Sequence, residues 1–90
     1  MSLTIWKYPI LIDDEQIITP PKGAEILTIQ VQDMQPYLWA LVDPDRPPDR
    51  IKLITKGTGH PIGDKEVGEY VGTYQFGKLV FHVFHPWRPE

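Results

Sequence analysis

The sequence predicts an all-β domain: a small antiparallel β-sandwich, or a partly open barrel, of about six or seven strands. Short segments of the chain alternate between apolar and polar residues with the period of a β-strand. Clusters of proline, glycine and aspartate separate these segments and predict turns. No segment keeps a helical period for longer than one turn. The 90 residues suffice for one domain, 1–90, in which 86–90 are expected to form an extended tail.

The first two predicted strands are short. Residues 3–8 alternate in polarity and predict a strand that stops near Pro9. An acidic turn at 13–15 follows, and residues 16–19 predict the second strand. Residues 20–23 then turn the chain, because proline fixes φ and glycine permits a positive φ.

The next two predicted strands form a hairpin. Residues 25–32 alternate clearly, which predicts one buried and one solvated face, as in an antiparallel sheet. The apolar residues expected to share the buried face are Leu27, Ile29 and Val31. A short turn at 33–36 leads into residues 37–42, which are apolar on both faces. They predict a central strand that is covered on both sides.

A surface loop and three further strands complete the domain. Residues 43–50 hold three prolines and five charged residues, and they predict either a solvated crossover or a recognition loop. Residues 51–55, 69–76 and 79–85 predict the last strands. Gly77-Lys78 predicts a type II′ turn between the final two, with glycine at the first central position.

That turn predicts the register of the last hairpin. One face is expected to pair Phe76 with Leu79, Tyr74 with Phe81, Gly72 with Val83 and Tyr70 with His85. The other face is expected to pair Gln75 with Val80, Thr73 with His82 and Val71 with Phe84. Gly72 leaves a gap opposite Val83 that a core side chain, a ligand or a neighbouring backbone can fill. A core side chain is the favoured interpretation.

Composition narrows the classes of function. The chain has no cysteine, which excludes disulfides and thiolate metal sites. Its net charge is −3, and its nine basic residues are scattered among twelve acidic ones, so no duplex nucleic acid is expected as a partner. There is no run of about 18 apolar residues, and the start of the chain lacks the pattern of a signal peptide. These features predict a cytoplasmic protein without a membrane span.

Residues 56–64, a glycine-rich stretch poor in apolar residues, are the predicted site. Its glycines free successive backbone N–H groups to face a concavity, and such nests hold phosphate-sized anions. A lysine, a threonine and a histidine add a charge, a hydroxyl and an imidazole, and two nearby tyrosines could stack on a base. The predicted ligand-binding residues are Lys56, Gly57, Thr58, Gly59, His60, Asp64, Tyr70 and Tyr74. The alternative is a glycine-rich turn that serves structure alone.

Catalysis and metal binding are not expected. No nucleophile motif accompanies the only acid–base candidates, His60 with Asp64 or Glu69. A metal would have to combine His60 and Asp64 with another histidine. His82 and His85 are three residues apart and therefore point to opposite faces of a strand. Neither a catalytic residue nor a cofactor is predicted.

Several segments together resemble a family of short, functionally uncharacterised bacteriophage and prophage proteins. The segments that carry the resemblance are residues 5–8, 21–27, 38–43, 57–62, 70–73 and 79–84. The resemblance implies a phage or prophage origin and a bacterial host cell, but it supplies no activity and no functional residues.

Small phage proteins without a catalytic constellation often act on host defence. The sequence therefore suggests a non-catalytic protein that binds a small anionic or nucleotide-like ligand, with sequestration of a host immune signal as its role. One alternative is a protein inhibitor of a defence system such as a CRISPR effector; another is a virion structural or assembly protein. Trp87 in the tail could dock on its own domain or on another copy, and a homo-oligomer is expected.

Overall fold

The computed structural model describes residues 2–86, and the predicted positions of Trp87 and of the rest of the tail lie outside the described residues. Seven strands form two antiparallel sheets, and no residue between 2 and 86 is helical. The strands are β1 (Thr4–Pro9), β2 (Glu15–Ile18), β3 (Glu25–Gln32), β4 (Gln35–Val42), β5 (Ile51–Gly57), β6 (Gly68–Phe76) and β7 (Leu79–Pro86). The first sheet has the order β1-β4-β3 and the second the order β2-β5-β7-β6. The all-β sandwich is thus confirmed, and the two sheets do not close into one barrel.

The core lies between the two sheets. Alternate residues of β4 are buried, and the fully buried Leu38 lies at the centre of this inner row. The other buried apolar residues of the cluster are Ile10, Ile18, Ile29, Ala40, Val42, Leu53, Tyr74 and Val83. No helix in the described part of the chain is long and apolar enough to cross a membrane.

The outer face of β4 departs from the prediction. Its aromatic residues, Tyr37 and Trp39, are only half-buried, so the expected cover on both sides is wrong for this face. Their partial burial comes from within the sheet, because the ammonium group of Lys7 lies 4.3 Å from the centroid of the Tyr37 ring and 5.4 Å from that of Trp39.

The predicted β3–β4 hairpin is confirmed, and its turn is strained. Asp33 and Met34 have φ values of 52° and 67°, the pattern of a two-residue type I′ turn. A left-handed conformation costs a residue with a β-carbon about 1–2 kcal/mol, and glycine escapes most of this cost. Met34 is also exposed, so its side chain gives little stabilisation in return.

Replacing Met34 with glycine is therefore expected to stabilise the protein. The relieved strain exceeds the added flexibility of the unfolded chain, and the expected gain is about 0.5–1 kcal/mol. Thermal melts should show a Tm higher by about 2–8 °C. Met34→Ala keeps the β-carbon and should show no gain; an equal rise in both variants would contradict the strain argument.

The register of the β6–β7 hairpin follows the prediction only in part. Gly77 has a φ of 62° and Lys78 has no positive φ, as the type II′ turn requires. From the turn as far as Gly72, each predicted pair is present. A β-bulge then leaves Val71 unpaired, so that Tyr70 lies opposite Phe84. The predicted pairs of Tyr70 with His85 and of Val71 with Phe84 are therefore wrong.

This bulge changes the direction in which Tyr70 points. Without it, Tyr70 and Tyr74 would lie on the same face of β6, because they are four residues apart. The extra residue lets Val71 pack against the core and turns Tyr70 to the outer face with Phe84. A second bulge, at Leu27 in β3, has a similar effect. Leu27 is exposed and Ile26 packs against the core, so the prediction that Leu27 is buried is wrong.

Candidate functional site

The glycine-rich stretch begins inside a strand. Lys56 and Gly57 are the last residues of β5, and the loop proper covers residues 58–67. Two of its backbone N–H groups are already engaged: Thr58 donates to the carbonyl of Val80 over 3.1 Å, and His60 donates to that of Gly57 over 3.1 Å. The first bond joins the end of β5 to β7 and the second closes a tight turn, so neither N–H group is free to bind an anion.

A carboxylate of the chain itself occupies the remaining part of the predicted nest. Glu66 Oε1 accepts a hydrogen bond from the N–H of Gly63 over 2.9 Å and lies 3.2 Å from Nζ of Lys56. The Gly63 hydrogen bond, and after it the Lys56 ammonium, hold the pKa of Glu66 below its usual range. An external anion would therefore have to displace Glu66 to reach either group.

His60 sits on the backbone of Gly57. A β-carbon built on Gly57 would lie 3.1 Å from both Cε1 and Nδ1 of the imidazole, so a larger residue at position 57 would displace the ring. The residue is exposed. No hydrogen bond or ion pair within residues 2–86 joins its ring to Asp64 or Glu69, and no group of three metal-ligating side chains is found in that range.

A groove of about 330 Å³ runs beside this ring. It is lined by Gly57, Thr58, His60, Lys78, Leu79, Val80 and Phe81. The groove combines an apolar wall with an ammonium group, a hydroxyl and an imidazole. Its volume is at the lower end of the range for small-ligand sites. Three of the predicted site residues thus meet around one concave surface.

Thr58 also belongs to a chain of polar side chains on the outer face of the second sheet. Thr58 Oγ1 lies 2.7 Å from Nε2 of His82, whose Nδ1 lies 3.0 Å from Oγ1 of Thr73. Thr73 in turn bonds the hydroxyl of Tyr70 over 2.5 Å. Since both ring nitrogens have hydroxyl partners, which can donate or accept, the chain can accommodate either neutral tautomer of His82.

Tyr70 and Tyr74 are separated. Tyr70 is 59% exposed at the end of the polar chain, whereas Tyr74 is 4% exposed and lies in the core against Phe81, with ring centroids 5.5 Å apart. The hydroxyl of Tyr74 has no hydrogen-bond partner within residues 2–86, and burial raises its pKa. Tyr74 therefore cannot stack on a ligand bound at the surface.

The other predicted residues, Lys56, Gly59 and Asp64, do not line the groove. Gly59 has a φ of 89° and lies exposed in the turn, and Asp64 is exposed in the loop. Lys56 faces Glu66 and does not line the groove. The structure thus brings Gly57, Thr58 and His60 together, and joins Tyr70 to Thr58 only through Thr73 and His82.

The sequence-based prediction of the site omitted the apolar wall of the groove, Leu79, Val80 and Phe81, and four polar residues. Thr73 and His82 could have been predicted from the sequence, because the predicted hairpin register already places them opposite each other. Lys78 was identified only as a turn residue. Glu66 had no local signal, since its role depends on the way that the loop folds back onto Lys56.

The comparison with known proteins gives a family without an assigned activity. The family model described as a domain of unknown function (DUF7352) matches residues 1–90, and the chain belongs to that family. No curated protein and no solved structure matches the chain. Neither a reaction nor a ligand follows from the family description.

Proposed function

We propose that this member of the DUF7352 family is a non-catalytic, phage-type accessory protein that binds a small anionic, nucleotide-like ligand. The observation that carries the proposal is the groove whose lining brings His60, Thr58 and Lys78 together with the apolar residues Leu79, Val80 and Phe81. A flat heterocycle packs on the apolar wall, and its anionic group contacts the ammonium, hydroxyl and imidazole. Sequestration of a host immune signal in the bacterial cytoplasm is the proposed role.

The position of the cation differs from the one expected from the sequence. Lys56 is neutralised by Glu66, so the proposed charge on the ligand is met by Lys78 in the β6–β7 turn. The larger groove at the opposite end of the second sheet, about 680 Å³, also carries basic side chains, Arg50 and Lys52. There Lys52 is paired with Glu15, which reduces the local positive charge and makes this groove the weaker candidate.

Thermal shift measurements with a panel of cyclic and linear nucleotides test the proposal. A ligand at ten times its Kd should stabilise the protein by about 1.4 kcal/mol, which raises Tm by about 6–11 °C. His60→Ala and Lys78→Ala should each remove most of this shift. The control variants are Arg50→Ala, which removes a cation from the other groove, and Tyr74→Phe, which removes the hydroxyl of a buried side chain. Both should show the same ligand-induced shift in Tm as the wild type.

Two outcomes would count against the groove. A panel without any shift contradicts the proposal as a whole. A shift that Arg50→Ala removes and Lys78→Ala preserves would move the ligand to the larger groove.

The blocking of a host defence protein is a second candidate, favoured by the number of apolar side chains on the surface. Residues 2–86 expose twelve large apolar side chains, and three of them, Leu3, Ile5 and Trp6, lie together along one edge of the first sheet. Apolar side chains that lie together on a surface are typical of interaction sites. This candidate predicts a stoichiometric complex in pull-downs from host lysate and no response to the nucleotide panel.

A further inference from the structure

Strand β1 is a free edge of the first sheet. It pairs only with β4, and all of its residues except Tyr8 are exposed. Large apolar side chains lie along it, namely Ile5, Trp6 and the preceding Leu3. An exposed apolar edge strand is a template for a further strand, and natural proteins usually protect such an edge with a charge, a bulge or a proline.

Those protections are weak in β1. Pro9 stands at the end of the strand, and the pairing of β1 with β4 has no bulge. The only charged residue of the strand, Lys7, turns its ammonium group over the rings of Tyr37 and Trp39 and donates to Oε1 of Gln32 over 2.8 Å. The charge therefore lies above the outer face of the sheet and leaves the edge itself open.

The hydrogen-bonding phase shows which backbone groups of β1 are free. Ile10 donates its N–H to the carbonyl of Pro36, so these two residues are a hydrogen-bonded pair of the antiparallel ladder. Such pairs alternate along the strand, which directs the backbone groups of Trp6 to β4 and those of Ile5 and Lys7 away from it. The carbonyl of Pro9, four residues after Ile5, should also point away from β4. It does so, because it accepts a hydrogen bond from the Gln16 side chain and not from β4.

We infer that a second copy of this chain docks on this edge, β1 against β1, in antiparallel orientation about a two-fold axis at Ile5. Ile5 then lies opposite its counterpart, and Leu3 lies opposite Lys7 of the other copy. In this register each outward-facing N–H group of one copy lies opposite an outward-facing C=O group of the other, so hydrogen bonds can form between the two strands. The two three-stranded sheets become one continuous sheet.

A second copy fits this edge better than an unrelated strand, because a two-fold axis makes an antiparallel edge complementary to itself. In this register Leu3 and Ile5 of each copy lie beside the strand of the other, so the pairing covers exposed apolar side chains as well as free backbone groups.

Sedimentation velocity of the full-length chain, from about 1 to 100 μM, tests the inference. The wild type should be a dimer. Ile5→Pro removes an outward-facing N–H and spares the ladder to β4, while Ile5→Lys adds a charge at the two-fold axis; each should weaken the dimer at least tenfold. Ile17→Lys is the matched control, since Ile17 is 41% exposed on β2 and Ile5 is 56% exposed. This variant should remain dimeric.

Amide hydrogen exchange supplies a second readout that requires no substitution. The amides of Ile5 and Lys7 should be protected in the dimer and lose protection on dilution, while that of Trp6, bonded to β4, stays protected. A monomeric wild type at 100 μM overturns the inference. So does a dimer that survives both Ile5 variants, or one in which dilution leaves the exchange of Ile5 and Lys7 unchanged. Circular dichroism confirms that each variant is folded.

Discussion

Replacing Leu38 with alanine is expected to lower the free energy of unfolding by about 3–4 kcal/mol. Leu38 is fully buried on the central strand of the first sheet, and it lies opposite Tyr8 on β1 and Ile29 on β3. The substitution removes apolar contacts and leaves a cavity between strands that cannot easily close around it. Because a domain of this length is stable by only about 5–13 kcal/mol, the loss is a large fraction of the total.

Urea denaturation measures this effect, and Leu27→Ala is its control. Both variants make the same chemical change, but Leu27 lies exposed at the β3 bulge and should cost less than about 1 kcal/mol. A shift in the urea midpoint with an unchanged m-value is expected for Leu38→Ala. Equal losses in the two variants would mean that Leu38 is not at the centre of the core.

The two β-bulges explain where prediction of the fold from the sequence succeeded and where it ended. Strand positions and turns depend on local chemistry, so the Gly77-Lys78 turn was enough to predict the register of the last hairpin as far as Gly72. A bulge has no signal in local periodicity. The residue that packs over Gly72, beside the bulge, is Ile29, which lies 43 positions earlier in the chain.

The candidate site shows the same limit. The composition of residues 56–64 drew attention to a stretch in which the structure places His60 beside a groove. The expected open nest depended on unpaired N–H groups, and their partners come from elsewhere: Val80 on β7 and Glu66 later in the loop. Tyr74 was assigned to the site for its aromatic ring, and only the packing of the two sheets reveals that this ring is buried.

Gly72 lies in close contact with Ile29 of the opposite sheet, and Gly72→Val is expected to cost about 2–3 kcal/mol. A β-carbon there would lie 3.2 Å from Cβ of Ile29 and 3.3 Å from its Cγ1, closer than ordinary van der Waals contact. The side chain of Ile29 fills the space that glycine leaves opposite Val83, so valine overpacks the core. Chemical denaturation measures the cost. Gly63→Val is the control, because the nearest atom there, 3.5 Å away, belongs to the partly exposed Glu66 side chain.

A double-mutant cycle with Ile29→Ala separates this clash from a general intolerance of valine at position 72. Ile29→Ala alone should cost about 2–4 kcal/mol, because it empties the space over Gly72. In the double variant the valine occupies part of that space and no longer meets Cγ1 or Cδ1 of Ile29. The combined loss should therefore fall short of the sum by about 1–2 kcal/mol. Strict additivity would show that the cost of Gly72→Val arises within β6 and not from contact between the sheets.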